Sequence, residues 1–223
     1  YGFNFLIGVV VTTGVKKLIR RLEERKILKK HYVHVTFFMT RGWVENYPED
    51  VKAILAAGHD LGNHSENHLN MSQISDEEKE EELMAVHRKV QEITGYEMFL
   101  FRPPYGDYDD AVILNATKNG YYTIQWDVDS LDWKNYGVEN LINTVVNHKH
   151  LGNGSIILCH NGAKYTAQAL DSIIKGLKEK GYEIVPISKL IYKKNYQMDH
   201  EGRQFSVGES DSGKKNENSK NMN

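Results

Sequence analysis

Residues 61–68 read Leu-Gly-Asn-His-Ser-Glu-Asn-His and place two imidazoles four positions apart, directly after a short apolar run. In a helical turn, residues i and i+4 lie on one face, so His64 and His68 are predicted to reach the same point. Neutral imidazole is the commonest metal-binding side chain. Among ten histidines such a pair arises by chance roughly half the time, so the spacing alone is a weak signal.

Three further motifs follow this pair along the chain. They are Arg102-Pro103-Pro104-Tyr105-Gly106, Asp129-Ser130-Leu131-Asp132-Trp133 and Leu158-Cys159-His160-Asn161. Each follows a run that is typical of a strand, and such runs alternate with helical patterns along the chain. Active sites of β/α barrels lie at the carboxyl ends of the strands. We therefore predict an α/β fold, an incomplete or distorted (β/α) barrel of about seven parallel strands, with the motifs meeting at one rim.

Several local patterns are specific enough to be compared with a structure. Strands are predicted over residues 3–12, 33–38 and 121–126. The sequence Ser-Asp-Glu-Glu at 75–78 is a capping box that opens a long helix, and Gly95 ends that helix. Thr166 is predicted to cap a later helix.

The bulk properties indicate a soluble globular protein and exclude several classes of partner. The 223 residues suit one domain with a sizeable core. A formal charge of -2 gives no reason to expect nucleic acid or an anionic membrane as a partner. No apolar run approaches the length of a membrane span, and no signal peptide is visible. The single Cys159 excludes an internal disulfide framework and is predicted to be a small buried hydrophobe. A monomer is expected.

The four motifs, in this order and at this spacing, resemble the polysaccharide deacetylases, the carbohydrate esterases with a NodB-homology domain. The resemblance covers about residues 26–200, and the Trp126–Trp133 segment is most similar to the bacterial cell-wall (sporulation-type) branch. We predict an atypical strand and helix at 1–25, a deacetylase domain at 26–204 that forms a single domain with 1–25, and a disordered tail at 205–223, where composition turns polar without periodicity.

The resemblance implies a role for each candidate residue. His64 and His68 would bind one divalent metal, Zn²⁺ or another first-row ion. Arg102 would orient a catalytic carboxylate, and the Tyr105 N–H would help to hold an oxyanion. His160 would protonate the leaving amine while Asp132 tunes its ring. A second group of residues is expected to line the sugar site together with Tyr105: Trp133, Asp129 and Leu158. Without this context, the histidines could be surface or structural residues, and the Arg and Asp motifs ordinary solvated loops.

One motif of the family is missing. Its members open with a strand that ends in an Asp-containing motif, and the matching positions here are about 12–14, which read Thr-Thr-Gly. No Asp occurs before Asp50, so the third, carboxylate ligand of the metal is not found. The likeness stops sharply upstream of residues 27–33. A frameshift, a sequence error or a degenerate gene would leave such an edge, a hypothesis that resequencing of the coding DNA tests.

The sequence therefore supports two functional expectations. The first is metal-dependent N-deacetylation of an N-acetylated aminosugar polymer, peptidoglycan or a related wall polymer, with release of acetate, outside the cell or at its surface. Chitin and xylan esters are open as substrates. The alternative is a catalytically impaired or dead glycan-binding homologue, because loss of a general base costs roughly 10²- to 10⁴-fold in rate.

Overall fold

The computed structural model describes residues 5–13 and 18–207. By the contacts between residues, the chain divides into one compact unit over residues 1–190 and a second over residues 191–223. The larger unit is built on one sheet of eight parallel strands: β1 (Phe5–Thr13), β2 (Thr36–Met39), β3 (Asp60–Asn63), β4 (Leu100–Phe101), β5 (Tyr122–Thr123), β6 (Val128–Asp129), β7 (Ile156–Asn161) and β8 (Tyr182–Val185).

Seven strands follow the order β5-β4-β3-β2-β1-β7-β6, and β8 pairs with β1. This curled, open arrangement is an incomplete (β/α) barrel, as predicted from the alternating pattern. The strand predicted over 121–126 is shorter in the structure: only Tyr122 and Thr123 lie in the sheet as β5, and residues 124–127 lie outside the sheet before β6.

Strand β1 lies at the centre of the sheet. Its run of Val9, Val10 and Val11 is buried, as expected for β-branched residues covered on both faces. Its register sets Thr12 beside Phe38 of β2 and beside His160 of β7. The end of β1 is therefore held next to two of the loops that carry the motifs.

Among the described residues of the larger unit there are eight α-helices: α1 (Leu18–Lys30), α2 (Arg41–Asn46), α3 (Pro48–Ala56), α4 (Asp76–Thr94), α5 (Asp110–Lys118), α6 (Val138–Val146), α7 (Thr166–Glu179) and α8 (Ile187–Leu190). The capping box is confirmed: the Glu78 N–H donates to Ser75 Oγ over 3.2 Å, and the Ser75 N–H donates to Glu78 Oε2 over 2.9 Å. Gly95 ends α4 at φ 72°, a backbone angle that glycine adopts without steric cost.

Two local predictions were wrong. Thr166 is the first residue of α7 rather than its cap, and its hydroxyl donates to Asp132 instead of to the helix. The first two residues of the predicted disordered tail lie in an antiparallel hairpin of β9 (Tyr196–Met198) and β10 (Gln204–Ser206) within the smaller unit. The rest of that tail, from 208 onward, lies outside the described residues. Among the helices described, none has the length and apolar character of a membrane span.

Candidate active site

Three predicted site residues and Thr12 lie at the carboxyl ends of four strands. Thr12 is near the end of β1, His64 follows β3, Arg102 follows β4, and His160 lies near the end of β7. The strands are parallel, so their ends share one rim, and residues separated by 90 positions in sequence come into hydrogen-bond contact there. The geometric convergence predicted from the motifs is therefore present.

His64 is almost completely buried and has a defined orientation. Its Nδ1 lies 2.6 Å from the carbonyl oxygen of Arg102, which can only accept, so Nδ1 carries the proton and Nε2 carries the lone pair. Burial and then the nearby Arg102 charge lower the pKa of His64 well below its usual value, so the ring is neutral at pH 7. A neutral imidazole with a free Nε2 is the form that binds metals.

His68 reaches His64 through a loop and not through the predicted helical turn. Residues 64–70 form no helix, and Ser65 and His68 both have positive φ, at 67° and 58°. The buried Glu82 carboxylate accepts the backbone and side-chain N–H groups of Asn67 over 2.8 and 2.7 Å, which holds this loop. The ring centroids of His64 and His68 are still only 4.8 Å apart.

Arg102 is buried, at 3% exposure. Its Nη2 donates to the Thr12 hydroxyl and, over 3.0 Å, to His64 Nε2, both of them neutral groups. Its Nε is buried and has no hydrogen-bond partner among the described residues. Burial lowers the pKa of Arg102 to about 10, and attraction to Asp129 opposes this shift, so the guanidinium stays charged at pH 7. A buried cation without a paired carboxylate is an unfavourable arrangement.

The loop after Arg102 is stiff and places an aromatic ring over the histidine pair. Pro103 and Pro104 restrict the backbone, and Tyr105 adopts φ 58°. The Tyr105 ring is 70% exposed and lies edge-on to His68, with centroids 4.6 Å apart. The Tyr105 side chain therefore forms one wall of the opening above the histidines.

On the opposite side of the rim, His160 and Asp132 form a fully paired unit. His160 Nδ1 lies 2.7 Å from Asp132 Oδ1, and the His160 N–H donates to Oδ2 over 2.7 Å. The Thr166 hydroxyl also donates to Oδ2, over 2.8 Å. The Asp132 side chain has no solvent exposure, while that of His160 is 27% exposed. The pair leaves His160 Nε2 free, so the ring is oriented to give or take a proton at that atom.

The remaining candidates surround this unit. Trp133, the residue after Asp132, is 54% exposed. Asp129 Oδ1 accepts the Leu131 N–H over 2.9 Å and so shapes the loop. Leu158 is buried two residues before His160 on β7, where it supports the site from below. The Cys159 thiol is also buried, and burial raises its pKa well above the usual value, in keeping with its predicted structural role.

Two residues of the site were missed or given another role in the sequence. Thr12 is the direct partner of Arg102, at one of the positions where the missing acidic motif was sought. Thr166 supplies a third hydrogen bond to Asp132. The β-strand alternation of β1 could have identified Thr12 as a residue facing the site, whereas no local pattern indicates the contact that Thr166 makes.

The residues present do not fit a divalent metal well. Within the described part of the chain, no three His, Cys, Asp or Glu side chains are placed so that they could hold an ion. The lone pair of His64 Nε2 accepts a hydrogen bond from Arg102. A dication about 4 Å from an unpaired guanidinium would be repelled by roughly 8 kcal/mol at an effective dielectric constant of about 20. The predicted Zn²⁺ therefore stays a prediction, and His64 and His68 stay the two ligands proposed for it.

Comparison with known proteins agrees with this architecture. Residues 23–124 match the family model described as polysaccharide deacetylase. A peptidoglycan-N-acetylglucosamine deacetylase of Bacillus cereus is 39% identical over 174 residues, covering 76% of this chain and 80% of the relative. An uncharacterized protein of Geobacillus stearothermophilus is 38% identical, covering 77% of this chain and 65% of the relative, so the chain spans just under two thirds of that protein.

Solved structures add an informative case. The crystal structure of a carbohydrate esterase family 4 pseudoenzyme from Bacillus anthracis has a TM-score of 0.80 and 31% identity, covering 87% of this chain and 68% of that chain. A mutant of that pseudoenzyme, described as having restored enzymatic activity, has a TM-score of 0.78 and 31% identity over 87% of this chain and 70% of its own. From the strand-end site and these matches, we conclude that the chain belongs to the polysaccharide deacetylase family, hydrolases that act on carbon–nitrogen bonds in amide groups.

Proposed function

We propose that this chain binds an N-acetylated aminosugar polymer of the peptidoglycan type, at the cell surface or outside the cell, and deacetylates it with strongly reduced turnover. The observation that carries the proposal is the unequal state of the two sides of the rim. The proton-donating side, His160 with Asp132, is fully hydrogen-bonded. The side that would activate water has Thr12 opposite Arg102 and no carboxylate.

The chemistry that remains is the second half of an amide hydrolysis. Water adds to the acetamide carbonyl carbon, the C–N bond breaks, and the departing nitrogen takes a proton, so the products are acetate and a free amino sugar. His160 Nε2 is the atom placed to supply that proton, because Nδ1 is held by Asp132. The Tyr105 N–H is the proposed donor to the oxyanion.

The first half of the reaction lacks its base. A threonine hydroxyl cannot take a proton from water at neutral pH, and removing a positioned general base costs roughly 10²- to 10⁴-fold in rate. Polymer binding does not depend on that base. The exposed Tyr105 and Trp133 rings flank the two sides of the rim, and aromatic faces of this kind pack well against sugar rings. We therefore expect the chain to bind the polymer although its rate of deacetylation is strongly reduced.

A second candidate function is an efficient metal-dependent deacetylase, which the intact His160–Asp132 pair favours. An assay of acetate release from N-acetylated peptidoglycan, with EDTA or with added Zn²⁺, separates the two candidates. We expect polymer to co-sediment with the protein in both conditions and acetate release to be at least about 10²-fold below that of an active relative. Acetate release at the rate of an active relative would contradict the proposal, as would the absence of polymer binding. The variant Leu114→Ala, at an exposed position on α5, is the surface control.

A further inference from the structure

The guanidinium of Arg102 is the most unusual charge in the described part of the chain. It is buried, it is charged, and its two protein acceptors, Thr12 Oγ1 and His64 Nε2, are neutral. Its Nε is buried and has no hydrogen-bond partner among the described residues. Arginine presents its donors as a planar fork that matches a carboxylate in two parallel hydrogen bonds.

The acidic residues near the Arg102 guanidinium form hydrogen bonds with other groups. Asp132 accepts two hydrogen bonds from His160 and one from Thr166. Asp129 is close enough to act on the Arg102 charge but forms no ion pair with it within 4 Å, and its Oδ1 accepts a backbone N–H. Among the described residues, no carboxylate therefore forms an ion pair with the Arg102 guanidinium, and only the more distant Asp129 offsets its charge.

We propose that the rim of this barrel is a carboxylate-binding site, in which a small monocarboxylate pairs with Arg102 and takes the place of the side-chain carboxylate that Thr12 does not provide. A divalent cation and a free guanidinium oppose each other at His64, whereas an anion relieves the unpaired charge of Arg102 and leaves the hydrogen bonds of His64 intact. The ligand class is a carboxylate of the size of formate or acetate, free or carried by a sugar.

Two aromatic rings enclose the Arg102 guanidinium. The ring centroids of Trp126 and Phe38 lie 5.4 and 5.9 Å from its central carbon. A small carboxylate is the anion that we propose here, because its planar shape matches the planar donors of a guanidinium. His68 is half-buried nearby, and the His160 side chain is 27% exposed.

The test uses the whole chain, treated with EDTA, and measures formate and acetate binding by calorimetry and by the imidazole resonances in NMR spectra. The informative variants are Thr12→Asp, which supplies an internal carboxylate, and Thr12→Asn, its uncharged match in size. We expect saturable binding in the wild type and binding within about threefold of this in Thr12→Asn. In Thr12→Asp we expect binding to be at least about tenfold weaker, because the new carboxylate would pair with Arg102 and leave no unpaired charge for the added anion.

Arg102→Gln is the second variant and is expected to abolish binding, with folding checked by circular dichroism. Binding of N-acetylmuramic acid, which carries a carboxylate, is compared with binding of N-acetylglucosamine, which does not. If N-acetylmuramic acid binds about tenfold more strongly, the site takes a carboxylate of the polymer. If the two sugars bind equally, the site takes a free anion. Equal formate binding by Thr12→Asp and Thr12→Asn, loss of binding on EDTA treatment, or unchanged binding in Arg102→Gln overturns the proposal. None of these readouts depends on polymer binding or acetate release, so this proposal and the proposed function can fail separately.

Discussion

The two sides of the barrel rim differ in how completely their charges are satisfied. On one side, Asp132 is fully buried and accepts three hydrogen bonds, two of them from His160. On the other side, Arg102 is also buried, but its hydrogen bonds within the described part of the chain go to the neutral groups of Thr12 and His64. Buried charge is ordinarily paired. The second side therefore has the form of a charged site from which one member is missing.

The difference shows that the fold and the chemistry of this site are specified separately. β1 pairs with β2, β7 and β8 through backbone hydrogen bonds, and these do not depend on the identity of the side chain at position 12. The barrel can therefore keep all its strand ends in place after the acidic residues are lost. What changes is the local electrostatic balance, and the following predictions test that balance from the largest expected effect to the smallest.

The largest effect is expected from restoring both acidic residues. Thr12→Asp together with Thr13→Asp should raise acetate release from N-acetylated peptidoglycan by roughly 10²- to 10⁴-fold in the presence of Zn²⁺, because a general base is regained opposite Arg102. The rate of acetate formation is the measurement. The matched control is Thr12→Asn with Thr13→Asn, which has the same size without charge and should stay at the wild-type rate. An equal gain in both double variants would show that charge is not what the site lacks.

Much of this site was predictable because it depends on local sequence. The capping box, the Gly95 stop and the alternation of strands and helices were all predicted from spacing and residue type, and each is present. The meeting of His64, Arg102 and His160 at one rim followed from the rule that parallel strand ends share an edge. These features depend on backbone preferences that neighbouring residues determine.

The parts that were missed depend on contacts between distant residues. Thr166 was predicted as a helix cap because its residue type is suited to that role, but the buried Asp132 carboxylate, 34 positions away, takes its hydroxyl. The path from His64 to His68 was predicted as a helical turn, whereas Ser65 and His68 adopt positive φ, which non-glycine residues rarely do and spacing cannot reveal. The loss of pairing at Arg102 likewise becomes visible only when Thr12 is placed beside it.

The second prediction concerns the fully paired side. Asp132→Ala removes a carboxylate with no solvent exposure and leaves the His160 N–H and the Thr166 hydroxyl without their acceptor. We expect a loss of about 3 kcal/mol in the free energy of unfolding, measured by urea denaturation. Asp129→Ala, at a partly exposed position in the same loop, should cost less than about 1 kcal/mol. If Asp132→Ala lowers the free energy of unfolding by less than Asp129→Ala does, the hydrogen bonds of Asp132 do not stabilise the fold as this comparison of the two sides requires.

The third prediction is an acid sensitivity of the Arg102 side. The folded pKa of His64 is lowered by burial and by the Arg102 charge, so as pH falls through about 6.5 the unfolded chain takes up a proton and the folded chain does not. The stability that this group contributes is thus fully present above pH 6.5 and is lost progressively as the pH falls below it.

Urea denaturation at a series of pH values measures this effect in the wild type and in His64→Gln. His59 is also buried, with its pKa lowered to about 4, so it adds a similar acid-dependent loss in both proteins, and only their difference reports on His64. The His64→Gln protein should therefore lose less stability on acidification than the wild type. If the free energy of unfolding depends on pH in the same way in both proteins, His64 is protonated in the folded chain, and the Arg102 charge does not lower its pKa.

The smallest effect is expected at the outer walls, where the two sides should behave alike. Trp133 stands by the paired side and Tyr105 by the unpaired side, and both rings are more than half exposed. If polymer binding depends on aromatic packing and not on charge balance, Trp133→Ala and Tyr105→Ala should each weaken it by roughly 2- to 10-fold, the range expected for one aromatic contact. Co-sedimentation with insoluble peptidoglycan measures the change, and Tyr32→Ala, at a residue 90% exposed after α1, should leave binding unaltered. A loss confined to Trp133→Ala would instead place the polymer on the His160 side alone, and the Arg102 side would then be free to serve as the carboxylate site.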